Sequence, residues 1–251
     1  MSARRTLRQI KTIVAKDLLR EWRTKEVTIS TLAFSVVLLI IFTFGFYVPD
    51  DPLLYQKFAE FLALQDIQRS IDPKAVVFPG VLWISIIFSA TIAIGRTFAQ
   101  EQEEGCLRAL ALVPGAGHSI FIAKFILNLL YIAAFEVVLV PLIALLFDVP
   151  ILSHAGAYFA VIAAGTIGYA ALATLVSAMM VNSRLRDVMI PILLYPLIIP
   201  LMIGCLVVTK NIFLGDPHFN LFSYLKVLFA VDVVFLALSI SLFKWVLEAI
   251  E

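Results

Sequence analysis

The sequence predicts an all-α integral membrane protein with six transmembrane helices, an N-terminal amphipathic interfacial helix, and a short cytoplasmic coupling helix between spans two and three. Three observations lead there. Hydrophobic residues make up 62% of the chain and charged residues only 15%, far from the about 45–50% and 25% of soluble domains. The apolar residues gather in runs of roughly 20, the length that crosses a hydrocarbon core about 30 Å thick, and in lipid such runs satisfy their own backbone only as helices. Between the second and third runs lies a charged stretch, RTFAQEQEEGCLRALALVPGAGHSIFIAK, from Arg96 to Lys124.

Residues 1–26 interleave Arg4, Arg5, Arg8, Lys11, Lys16, Arg20, Arg23 and Lys25 with Leu7, Ile10, Ile13, Val14, Leu18 and Trp22. At about 100° per residue the apolar positions fall on one side of a helix and most cations on the other. Such a helix lies at a membrane surface with its basic side chains snorkelling. Asp17, Glu21 and Glu26 set it apart from an acid-poor mitochondrial presequence, so the segment is expected to remain in the mature protein.

The remainder, residues 27–251, reads as one transmembrane domain with spans at about 27–48, 75–98, 120–147, 155–181, 188–209 and 222–247. Pro49-Asp50-Asp51-Pro52 terminates the first span. The following loop holds five acids, Asp50, Asp51, Glu60, Asp66 and Asp72, against Lys57, Arg69 and Lys74. Six spans put both termini on one side. That side carries Arg4 to Lys25, Arg96, Arg108, Arg184, Arg186 and Lys244, while the opposite loops hold only Lys57, Arg69, Lys74 and Lys210, so the termini and the charged stretch are expected in the cytoplasm. Lys124 and Lys226, near helix ends, do not enter that comparison.

The sequence holds no G-x-x-x-x-G-K-[ST], H-E-x-x-H or G-x-S-x-G motif, so no nucleotide-binding loop or familiar hydrolase site is present and the chain is not expected to be an enzyme. Cys106 and Cys205 show no CxxC or Cys/His spacing and read as small apolar residues. The charged stretch is the candidate site. Glu101, Glu103 and Glu104 precede Gly105, then Leu107, Leu110 and Ala111 fall at i, i+3 and i+4 before Pro114. Acids at a helix start suit its dipole, which predicts a helix over about 101–113 with Arg108 on its flank. Leu107, Leu110, Leu112 and Val113 lie outside the spans and need a surface to pack on: a partner protein, or the protein's own helix ends.

An acidic run, a glycine and a Leu-rich helix stopped by proline, just after the second of six spans, resemble the membrane subunits of type-2 ABC exporters. FPGVLWISIIFSATIAIGRTFAQEQEEGCLRALALVPGAGHSIFIAKFI (Phe78 to Ile126) and RLRDVMIPILLYPLIIPLMIG (Arg184 to Gly204) resemble, more narrowly, the haem exporter protein B (CcmB) family of cytochrome c maturation. The resemblance covers about two-thirds of the chain; residues 1–26 and 49–75 match only in character. It implies a coupling element at Glu101, Glu103, Glu104, Gly105, Leu107, Arg108, Leu110 and Pro114, engaged by a separate CcmA-type ATPase that holds ATP and Mg. It implies CcmC, CcmD and the haem chaperone CcmE as further partners, with ATP hydrolysis driving release of haem-loaded CcmE. Cys106 stands where many type-2 exporters have a small hydroxyl residue, so no capping role falls to it.

Glu136, in the third span, is an intramembrane acid readable as functional or as a structural group bonded between helices, while Asp232, with Lys226 towards the outer end of the sixth span, reads as functional or as simply hydrated at the interface. Pro191, Pro196 and Pro200 deprive the fifth span of backbone bonds and predict a bend there. His154 and His218 sit in outer loops where haem is handled, but a lone loop histidine is usually just solvated, so the protein is expected to bind no cofactor or metal directly, haem being handled by the complex. The expected setting is lipid, in a bacterial inner membrane rather than a mitochondrial one, with no nucleic-acid partner and with pairing to a second copy or another membrane subunit. Alternatives are a type-2 exporter subunit for another hydrophobic or lipid-like cargo, and a non-transporting membrane scaffold.

Overall fold

The computed structural model describes residues 3–45, 73–103, 117–215 and 218–248, all of them helical apart from short connections. The helices are α1 (Ala3–Thr24), α2 (Glu26–Gly45), α3 (Pro73–Glu103), α4 (Gly117–Leu146), α5 (Ala155–Met179), α6 (Arg186–Leu214) and α7 (Leu221–Glu248), with a 3₁₀ turn at Ile151–His154 leading into α5. Five segments are singly long and apolar enough to cross a membrane, Val77–Arg96, Gly117–Leu146, Ile151–Met179, Arg186–Leu214 and Leu221–Phe243. The protein is therefore a multi-pass membrane protein. α1 and α2 qualify only together, as a pair bent by 65°.

That bend has a local cause. α1 ends because Lys25 adopts a left-handed conformation, φ 53°, while its amide still donates to the Glu21 carbonyl at 2.7 Å. A helix start leaves its first amides without partners. Here Glu21 reaches across the elbow, and its Oε1 accepts from both the amide and the hydroxyl of Thr28, each at 2.7 Å. A residue of one helix thus caps the next. Glu21→Ala should cost about 1 kcal/mol, the usual worth of a cap, and Glu21→Gln, which keeps an acceptor oxygen, should recover most of it; amide hydrogen exchange at Thr28 is the direct readout.

α5 is the centre of the bundle, packed on α3, α4, α6 and α7. Its sequence, AGAYFAVIAAGTIGYAALATLVSAM, explains why: small residues let neighbouring backbones approach, which is how helices associate where no hydrophobic force separates protein from lipid. Gly165 lies under the Trp83 ring and the Cys205 sulfur, and Gly168 under Asp232 and Leu201. From Gly168 to Ala178 every α5 residue is buried. By contrast α7 turns only a narrow stripe inward, Leu228, Asp232, Ser239 and Phe243, and leaves Phe222, Val227, Phe229, Val234 and Trp245 exposed to the bilayer.

Hydroxyls and amides pin the helices together inside this core. Thr91 of α3 bonds Tyr169 of α5 at 2.7 Å, Asn128 of α4 donates to Thr174 of α5 at 2.8 Å, and the Ser177 hydroxyl donates to the Ile94 carbonyl at 3.2 Å. Trp83 of α3 donates its indole N–H to Thr209 of α6 at 3.0 Å, and Ser35 of α2 meets Ser89 of α3 at 2.6 Å. In hydrocarbon each such group needs a partner, so these pairs set the register of the helices.

α3 corrects the expected boundary of the coupling helix. It runs unbroken to Glu103, so Glu101 and Glu103 belong to the last turn of the long helix that forms the second span, not to the first turn of a separate one. Helix-start stabilisation by those two acids therefore does not apply.

Candidate functional site

The described flanks of the charged stretch, the end of α3 and the start of α4, stand at one end of the bundle. Glu104, Gly105, Leu107, Arg108, Leu110 and Pro114 lie outside the described residues. At the same end a second hydrophobic core joins four helices: Ile120 and Phe121 of α4, Leu175 and Ala178 of α5, and Phe243 of α7 are buried, with Ile13 of α1 packed against them. The Phe121 ring stacks on Phe125 at 6.2 Å and tilts against Phe243 at 5.3 Å.

α1 is held against α4 by polar bonds as well. Ser119, two residues into α4, donates to Gln9 at 3.1 Å. The Lys124 ammonium donates to Asp17 Oδ2 at 2.8 Å, with the Lys124 side chain only 1% and that of Asp17 10% exposed. The Asp17 Oδ1 faces the exposed Lys16 at 3.2 Å. Lys124 lies roughly two turns into α4, where an isolated ammonium in apolar surroundings would be costly. Asp17 makes it tolerable. The pairs Gln9–Ser119 and Asp17–Lys124 also show that α1 ascends alongside α4 in the same chain direction.

α1 is thus more than a helix laid on lipid. Its buried line contains Asp17 and Glu21, while Leu7, Leu19 and Trp22 remain exposed. From the sequence alone Asp17 and Glu21 argue only against a presequence, and Lys124 reads only as a helix-end cation. The signal was present, because at about 100° per residue both acids fall in the middle of the arc formed by Ile10, Ile13 and Val14. An acid centred on an apolar face announces a buried partner.

The other expected positions are distributed through the bundle. Glu136 of α4 is buried and accepts a hydrogen bond from Thr166 of α5 at 2.6 Å, so it ties two helices. Asp232 lies deeper than the sequence placed it: it sits against Gly168, halfway along α5, is 2% exposed, and its two oxygens have no hydrogen-bond partner among the described residues. Outer-end hydration therefore does not account for it. Lys226 does stay near the start of α7, its ammonium 4.4 Å from the Phe222 ring centre. Pro196 and Pro200 are on the exposed side of α6 and Pro191 is half-buried, and α6 continues as one helix through all three.

His118, His154 and His218 are exposed, and His154 Nδ1 is engaged with the Ser153 hydroxyl at 3.0 Å. No group of three or more His, Cys, Asp or Glu side chains that would hold a metal occurs among the described residues. The start of α4 is thus fixed to α1, α5 and α7.

The family model described as CcmB protein matches residues 72–246, which include both flanks and the segment between them. The chain belongs to the CcmB family. A search of the curated proteins finds no match. Membership in the CcmB family together with the apolar helices fits a membrane subunit of an ABC-type assembly of cytochrome c maturation. The match takes in Lys124 but not Asp17 or Glu21, so the α1 half of the buried ion pair lies beyond the shared region.

Proposed function

We infer that this CcmB-family chain couples ATP hydrolysis by a CcmA-type ATPase to haem handling in cytochrome c maturation, including release of haem-loaded CcmE, in a complex with CcmC and CcmD. The observation that carries the reading is the family match across residues 72–246. In this reading α2 provides the first of six spans, both termini and the segment around 101–114 face the cytoplasm of a bacterium, and the membrane is its inner membrane. Residues 1–26 form one unit at the surface and residues 27–251 the transmembrane domain.

ATP-driven closure of the ATPases would press on Glu101, Glu103, Glu104, Gly105, Leu107, Arg108, Leu110 and Pro114. The displacement passes into α3 on one flank and α4 on the other. Because α4 is pinned to α1 by Lys124–Asp17 and Ser119–Gln9, α1 moves with it. Because α5 is bonded to α3 through Thr91–Tyr169 and to α4 through Asn128–Thr174 and Glu136–Thr166, the two flanks act on one central helix. Pro191, Pro196 and Pro200 give α6 the missing backbone bonds at which it can bend in response. Haem is handled by the complex. His154 and His218 are exposed and lie on separate connections, so the described residues do not assemble a pocket around it. Two ATP sites need two membrane halves, supplied by a second copy or by another membrane subunit.

The test is co-purification. Glu104→Lys, or Leu107→Asp with Leu110→Asp, should remove the ATPase from the affinity-purified complex and abolish cytochrome c maturation while the membrane subunit still accumulates. Retention of both the ATPase and maturation in either variant would overturn the coupling assignment.

A further inference from the structure

α2 and α3 meet along a seam of residues spaced one turn apart. Thr31, Ser35 and Leu39 of α2 and Val81, Ser85, Ser89 and Ala93 of α3 are all buried, and rows with this spacing form the ridges by which helices pack. Ser35 and Ser89 bond each other at 2.6 Å, and Thr31 and Ala93 line the same cavity of about 30 Å3. Counting up α2 therefore counts down α3: the two helices run antiparallel, and Leu39 falls at the level of Ser85. In this register two seam hydroxyls are left over. Those of Thr31 and Ser85 are buried and have no hydrogen-bond partner among the described residues, which is destabilising in apolar surroundings. The cavity beside Thr31 has room for about one water, so Ser85, fully buried, is the sharper case.

The two leftover groups are placed to match. A shift of α2 by one turn, about 6 Å, in its own chain direction would set Thr31 opposite Ser89 and Ser35 opposite Ser85, with Leu39 on Val81. Ser35 already donates to the Thr31 carbonyl at 2.7 Å, so it accepts from Ser89 now and would accept from Ser85 after the shift. We propose that the α2–α3 seam has two registers one helical turn apart, the present one and one closed by Thr31–Ser89 and Ser35–Ser85, and that α2 slides between them. One-turn ratchets of one packed element past another are an established form of switching. α3 is tied to α5 and α6 through Thr91–Tyr169, Ser177–Ile94 and Trp83–Thr209, so α2 is the helix that moves. The elbow gives it the length. Lys25 holds a left-handed φ of 53°, uncommon for a residue with a β-carbon, and extending about three residues there from helical to stretched backbone adds about 5–6 Å. The bonds from Thr28 to Glu21 open in the process, which makes them a latch on the present register.

The experiment uses the full chain in lipid vesicles with Leu39→Cys and Val81→Cys, a pair that meets in the shifted register, and reads the rate of disulfide formation under a mild oxidant by mass spectrometry. Single-cysteine variants account for Cys106 and Cys205. Leu39→Cys with Ile84→Cys, on the exposed side of α3, measures unspecific motion and shares the Leu39 substitution. The Leu39–Val81 pair should close several-fold faster than this control. Adding Ser85→Ala, which removes a hydroxyl bonded only after the shift, should slow closure several-fold; adding Glu21→Ala, which opens the latch, should speed it. In the chain without added cysteines Ser85→Ala should raise the thermal midpoint, because an unbonded hydroxyl leaves the present register. A Leu39–Val81 rate no greater than the control, a rate unchanged by Ser85→Ala, or a lowered midpoint in Ser85→Ala would each overturn the second register, the last by showing that Ser85 is already bonded. A rate unchanged by Glu21→Ala would overturn the latch.

Discussion

Lys124→Met should destabilise the protein by about 3–5 kcal/mol, the usual cost of removing one partner from a buried ion pair and stranding the other. Asp17 would then face the start of α4 with only Lys16, which is about half exposed, and a water-screened lysine replaces little of the lost interaction. The companion Asp17→Leu should also be destabilising, because it removes the carboxylate that faces an ammonium whose side chain is only 1% exposed. The double variant Asp17→Leu, Lys124→Met should recover most of the loss, since buried ion pairs are frequently no more stable than apolar residues of similar volume. Denaturant unfolding in mixed micelles gives all three values and the cycle they close. Equal stability of Lys124→Met and wild type would mean that α1 does not dock through this pair. Retention of the ATPase can be followed in the same variants: loss in both singles with recovery in the double would assign to the α1–α4 joint a part in holding the coupling segment.

The second large effect is expected at the glycines of α5. A methyl group added at Gly165 would run into the Trp83 ring, with the Cys205 sulfur 3.0 Å away, and at Gly168 into the Asp232 carboxylate and Leu201. The Trp83 ring is not a flexible tip free to swing aside. Trp83 is 1% exposed and its indole N–H is tied to Thr209. Gly165→Ala should therefore cost about 1–3 kcal/mol, the range for overpacking a filled core. Trp83→Phe shortens the ring and should restore part of that loss in the double variant, without stranding Thr209, whose hydroxyl also donates to the Cys205 carbonyl at 2.7 Å. Strictly additive losses in the two variants would show that Gly165 is not placed for close approach to α3. Thermal unfolding of the purified protein measures this directly.

Five of the expected spans were legible because twenty apolar residues in a row have few other uses. The expected spans at about 120–147 and 155–181 meet helices Gly117–Leu146 and Ala155–Met179, with boundaries differing by a turn or less. What the sequence concealed was pairing across distance. Nothing local to Lys124 indicates that it is neutralised by Asp17, and nothing local to Asp232 indicates that a glycine of α5 lies opposite it, bringing an acid to the middle of the bundle. Periodicity alone also could not show where α3 ends, because QEQE continues a helix as readily as it begins one. Asp17 and Glu21 were the readable exception, centred on an apolar arc, and their meaning required knowing that α1 packs on protein as well as on lipid. For the coupling residues the sequence offered a motif and a resemblance, and the structure contributes the joints on either side of them.

The Asp17–Lys124 pair also imposes an order on biogenesis. The two residues are 107 apart in sequence, and domains are made from the N-terminus onward. Asp17 leaves the ribosome long before its counter-charge exists, so α1 must wait outside its final seat while α2 and α3 are inserted. Lys124 then arrives on α4 and supplies the partner of Asp17. Docking of the first helix made is thereby deferred until the fourth is in place, which makes closure of the α1–α4 joint a marker that the first half of the protein has been correctly threaded.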